Sequence, residues 1–149
     1  MDKLIELNSV LRLYESNYRN LHWNSKGIDF NDSHKSITTE YYEMISESID
    51  EVAEFISRLG GNAPNYMEVC EILNKQEKRY MIINSSELYT RQQIVEVSDV
   101  MLNDICTLIA ECLEESVMQE TINAGIKSDL ESMLSKYDLQ ARYINKRKL

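Results

Sequence analysis

The residues from Ile37 to Leu59 leave little freedom in how this chain can fold. Apolar side chains recur at Ile37, Tyr41, Met44, Ile45, Ile49, Val52, Phe55, Ile56 and Leu59. Such three-and-four spacing gathers them on one face of an α-helix. Gly60-Gly61 stops the stripe and Pro64 prevents its continuation, since glycine accepts the left-handed turn that ends a helix and proline lacks the N–H needed to extend one. Asn31, Asp32 and Ser33 are candidate N-caps at the other end. At ~1.5 Å per residue the helix is roughly 40 Å long. A rod of that length with one greasy face needs partners along all of it.

The partners are legible too. Leu4, Leu7, Leu11, Tyr14, Tyr18 and Leu21 form a stripe ending near Ser25 and broken by Gly27, with His22 one turn after Tyr18. Ile94, Val97, Met101, Ile105, Leu108, Ile109 and Cys112 form a third, opened by a capping box of Thr90 with Gln93. Ile126, Leu130, Met133, Leu134, Tyr137, Ala141 and Ile144 form a fourth, after a break near Gln119 to Gly125. Met67, Val69, Cys70, Ile72 and Leu73 suggest a short helix between the second and third. Four glycines and one proline are too few for a sandwich or barrel. The expected fold is all-α, one ferritin-like four-helix bundle over residues 1–149, with the short helix in its long middle connection. That connection lets the second and third helices run parallel, while tight turns make the other neighbours antiparallel.

A net charge of −9 disfavours a constitutive binder of DNA or anionic membranes and suits the collection of cations. No charged-then-apolar leader opens the chain and no run approaches a membrane span, so a cytoplasmic protein is expected. Cys70, Cys106 and Cys112 lack CxxC spacing and read as buried reduced thiols.

Both histidines and the only tryptophan fall within "NLHWNSKGIDFNDSH". A di-iron site inside one bundle requires Glu-x-x-His on two helices, but Arg19 precedes His22 by three residues and Asn31 precedes His34 by three. The carboxylates lie elsewhere: the second helix carries Glu40, Glu43, Glu47, Asp50, Glu51 and Glu54, with Glu47, Asp50 and Glu54 sharing a face. Folding the first two helices antiparallel brings His22 level with His34, yet leaves Asp50 roughly 24 Å further along. One chain cannot join them. A two-fold dimer with antiparallel second helices can, setting His22 and His34 of one copy beside Asp50 and Glu54 of the other, twice per dimer.

The segment "LHWNSKG…F…SH…IDEVAEFISRLGG" resembles the mini-ferritins called Dps, DNA-binding proteins from starved cells. His22-Trp23, His34, Asp50, Glu54 and Gly60-Gly61 stand where that pattern has them, and the match is specific from about Leu4 to Pro64. The resemblance implies a dodecameric cage built from two-fold dimers, storing ferric mineral. It implies ferroxidase sites, single-iron or di-iron, that use hydrogen peroxide or dioxygen, with Trp23 close to the iron.

Two departures stand out. Thr38 occupies the place of the family's acid one turn after the second histidine, so Glu40 or Glu47 becomes a candidate for the missing carboxylate. The stretch from His34 to Asp50 is one residue longer than the pattern, which predicts a bulge in the helix. Carboxylates are hard donors suited to ferric iron and imidazole suits iron generally, so His22, His34, Asp50 and Glu54 form the expected site. The alternative is a cage or dimer of the same fold with a degenerate metal site, acting as a structural or DNA-protecting protein. The first helix leaves no basic tail before it, and the basic cluster is Lys146, Arg147 and Lys148. DNA binding is expected to be weak and salt-sensitive at most.

Overall fold

The computed structural model describes residues 1–28 and 30–149. Helix α1 spans Asp2–Trp23, two residues short of the break expected near Ser25. The second rod begins as a single turn, α2 (Phe30–Asp32). It passes without interruption through a π-helical segment, Ser33–Thr39, into α3 (Glu40–Arg58). It thus starts at Phe30, ahead of the candidate caps Asn31, Asp32 and Ser33. A π-turn holds one more residue than an α-turn, and here it takes up the extra residue that the sequence inserts between His34 and Asp50.

The rod ends in a Schellman motif. Gly61 N–H donates to the Ile56 carbonyl at 2.9 Å and Gly60 N–H to that of Ser57 at 3.0 Å. Gly60 has φ +88°, while a Cβ on Gly61 would meet the Ile56 side chain at 3.2 Å. The two glycines therefore serve different needs, one conformational and one steric.

The short helix α4 (Tyr66–Lys75) opens with a capping box of Asn65 and Glu68. Helix α5 (Arg91–Glu114) opens with the expected box of Thr90 and Gln93. Two 3₁₀ turns, Ser116–Gln119 and Thr121–Asn123, lead into α6 (Ala124–Leu139), which widens into a π-turn at Gln140–Ile144 and closes with a 3₁₀ turn at Asn145–Arg147. Helix α1 packs against α3 and α5, and α5 packs against α6. The bundle is closed by the Tyr137 hydroxyl on α6, which donates to Ser48 Oγ on α3 at 2.8 Å. All four stripes supply the core, with Leu7, Leu11, Ile45, Ile56, Ile94, Ile105, Ile109 and Leu130 fully buried. Each such side chain contributes about 1.5–3 kcal/mol of transfer free energy.

The loop after α1 is tied to the connector before α5. Lys26 N–H donates to the Tyr89 carbonyl and Tyr89 N–H to that of Asn24, both at 2.8 Å. No helix among the described residues is long and apolar enough to cross a membrane. One expectation needs correcting: Cys112 is buried and Cys106 partly so, but Cys70 is exposed. The short α4 has only one fully covered position, Val69, and Cys70 is the next residue round the helix.

Candidate metal centre

His22 sits in the last turn of α1 and His34 in the π-helical segment. Their rings stack with centroids 3.5 Å apart and planes 21° apart. Backbone carbonyls lock the pair reciprocally. His22 Nδ1 donates to the His34 carbonyl at 3.1 Å, and His34 Nδ1 to the His22 carbonyl at 3.0 Å. A carbonyl can only accept, so each Nδ1 carries the proton and each Nε2 keeps a lone pair. This is the tautomer a metal ligand needs, oriented by a partner on the opposite ring nitrogen.

The π-turn follows from "SHKSITT". Widening a helix strips carbonyls of their usual partners, and here hydroxyls replace them. Thr38 Oγ1 lies 3.0 Å from the His34 carbonyl and 3.2 Å from that of Ser33, while Thr39 Oγ1 donates to the His34 carbonyl at 2.6 Å. Thr38 is fully buried, and its oxygen also lies 2.9 Å from His22 Nδ1. The residue in the place of the family's acid thus braces an imidazole from behind.

Burial lowers the pKa of His22 below its ordinary value, and the neighbouring His34 lowers it further. Two stacked imidazoles cannot both take protons cheaply. Phe30, itself 40 % exposed, lies 5.3 Å from the His34 ring, and Trp23 and Ile28 in the same stretch of chain are exposed. Tyr42 meets His22 edge-on at 5.4 Å and carries the Arg19 guanidinium over its face at 4.6 Å.

The acidic candidates are elsewhere. Asp50 and Glu54 are exposed on α3 and join no ion pair among the described residues. Glu47 is exposed and lies 3.7 Å from Lys136 Nζ, whereas Glu40 accepts from Lys148 Nζ at 2.9 Å. Among the described residues of one chain, no three histidine, cysteine or carboxylate side chains come together to hold a metal ion. The fold thus joins His22, His34 and Thr38, and keeps Asp50 and Glu54 apart from them. Sequence reasoning leaves open which of Thr38, Thr39 and Glu40 faces the site, where the structure brings both threonine hydroxyls to His22 Nδ1, and it missed the two carbonyl locks. The surplus residue in a Ser/Thr-rich stretch was the available signal.

The stacking also limits what the imidazoles can do. Lone pairs lie in the ring planes, and two rings stacked with centroids 3.5 Å apart and only a 21° tilt do not aim both Nε2 lone pairs at one point a metal–nitrogen bond of ~2 Å away. As arranged, one ion takes one ring.

No family model matches the chain. It is 27 % identical over 115 residues to Antigen TpF1 of Treponema pallidum (strain Nichols), an alignment covering 66 % of this chain and 64 % of that protein. The match thus spans just under two thirds of the relative's length. The crystal structure of Helicobacter cinaedi CAIP superposes with a TM-score of 0.82 at 18 % identity, covering 99 % of this chain and 97 % of that one. The X-ray structure of Dps from Thermosynechococcus elongatus gives 0.75 at 20 % identity, covering 98 % and 87 %. From end to end, the chain has the ferritin-like fold of the Dps structures.

Proposed function

We propose that this chain is a mini-ferritin that binds Fe(II) at sites shared between two copies, oxidises it and stores the ferric product inside a cage of about twelve subunits. His22 and His34 of one copy and Asp50 and Glu54 of the other hold the substrate iron. The observation that carries this reading is the reciprocal lock, which leaves both Nε2 atoms without a hydrogen-bond partner in the metal-ready tautomer. Unpaired carboxylates on an exposed face supply the hard donors.

One ring per ion suits a pair of irons. Hydrogen peroxide takes two electrons in becoming two waters, and two Fe(II) ions give one each as two protons are consumed. Paired delivery leaves no one-electron step to release hydroxyl radical. Dioxygen is the other oxidant class open to the site. Glu40, bonded to Lys148 at 2.9 Å, and Glu47, 3.7 Å from Lys136, are the candidate substitutes for the acid absent at Thr38. The interior draws cations through the net charge of −9 per chain, and the cytoplasm is the expected compartment.

Stopped-flow mixing of Fe(II) and peroxide with the intact protein tests this. Fast oxidation that His22→Ala and Asp50→Ala each abolish supports it; wild-type rates equal to buffer would leave the second reading. That reading, a cage or dimer of the same fold in a structural or DNA-protecting role, is favoured by one observation: Thr38 offers no carboxylate.

A further inference from the structure

The basic cluster Lys146, Arg147 and Lys148 does not present itself as a unit. The Arg147 guanidinium lies on the Tyr143 ring at 3.7 Å, and the Lys148 side chain is only 11 % exposed. Lys148 Nζ donates to the Ser36 carbonyl at 2.6 Å and to Glu40 Oε2 at 2.9 Å, with the Tyr41 ring 5.3 Å away. Ser36 lies inside the π-helical segment and Glu40 is the first residue of α3. One ammonium group therefore spans the junction where the helix returns from π to α.

The base of the lysine is fixed as well. Its carbonyl accepts from Arg91 Nε at the start of α5. Asn145, fully buried, accepts from the Tyr41 hydroxyl at 3.0 Å and donates to the Val95 carbonyl at 3.0 Å. The turn Asn145–Lys148 is thus a bracket between α5 and the π-segment.

We infer that Lys148 is a positioning residue for His34, holding the π-turn in the register that faces its imidazole to the site. The inference rests on the reading of His34 as a metal ligand. Its physical basis is helical phase. Relaxing the π-turn into α-geometry shifts the register by one residue, which turns everything before it by about 100° relative to Asp50 and Glu54. The hydroxyls of Thr38 and Thr39 hold the His34 end of the turn, and Lys148 holds the other. A π-turn is strained against the α alternative, and two charge-assisted bonds from one mostly covered lysine side chain, to Ser36 and Glu40, bias that choice.

The test compares wild type, Lys148→Met, which keeps most of the stem without the charge, and Lys148→Arg, as intact assemblies. Hydrogen exchange read by mass spectrometry over residues 33–40 should accelerate at least tenfold in Lys148→Met, with α5 core peptides unchanged. Co(II), titrated alone by its visible absorption, should bind about tenfold more weakly, and Lys148→Arg should restore both. Unchanged exchange overturns the inference, as does faster exchange with unaltered Co(II) affinity. If wild-type Co(II) binding ignores His22→Ala and His34→Ala, the metal reading fails instead; the exchange comparison then still decides whether Lys148 holds the turn.

Discussion

Thr38→Val removes one hydroxyl and keeps the shape of a fully buried side chain. The lost oxygen accepts from His22 Nδ1 at 2.9 Å and reaches the carbonyls of Ser33 and His34. His22 Nδ1 keeps the His34 carbonyl, and that carbonyl keeps the Thr39 hydroxyl at 2.6 Å. Only the Ser33 carbonyl loses a side-chain donor without a substitute in kind. The stability cost is therefore that of one net hydrogen bond, about 1 kcal/mol. Removing an outer-shell partner of a ligating histidine costs 10–100-fold in metal affinity. With the His34 carbonyl at 3.1 Å and the Thr39 hydroxyl at 3.3 Å retained, the low end applies: about tenfold, or roughly 1.4 kcal/mol. Co(II) titration beside thermal unfolding measures both. Wild-type affinity in the variant would refute Thr38 as an orienting group. Complete loss of binding would refute it from the other side, since only a ligand is worth so much.

The remaining predictions concern protons and DNA. Because His22 has its pKa lowered in the fold, the unfolded chain binds a proton that the native one refuses. Metal-free stability is thus unaffected by this group well above pH 6.5 and is lost as pH falls through that value; denaturant midpoints between pH 7.5 and 5.5 should fall in wild type and fall less in His22→Gln. DNA retention in a gel shift should vanish at physiological salt, because Lys148 is bonded inward, Arg147 lies on Tyr143 and the chain carries −9; a complex that survives such salt would contradict it.

The bundle was readable because its determinants are local. The stripe from Ile37 to Leu59 repeats every three or four residues, the Gly60-Gly61 stop and the Thr90–Gln93 box each lie within a few residues, and the structure has all three. The π-turn was half readable: the surplus residue predicted a bulge, but not that hydroxyls from Thr38 and Thr39 would support it. Lys148 was misleading in isolation. Its partner Ser36 is 112 residues away, and a lysine beside Lys146 and Arg147 reads as a charged patch until the fold shows what it touches. Cys70 failed for a related reason, since a short helix such as α4 covers only one face and periodicity cannot say which.

The central claim is that each metal site takes its imidazoles from one copy and its carboxylates from another. Dissociating His22→Ala and Asp50→Ala proteins, mixing them equally and reassembling them tests this most directly. Random pairing makes half the interfaces mixed, and each mixed interface regains one intact site of two, so about a quarter of wild-type fast Fe(II) oxidation should return. Activity no higher than either parent after mixing, with reassembly verified by light scattering, would contradict the account.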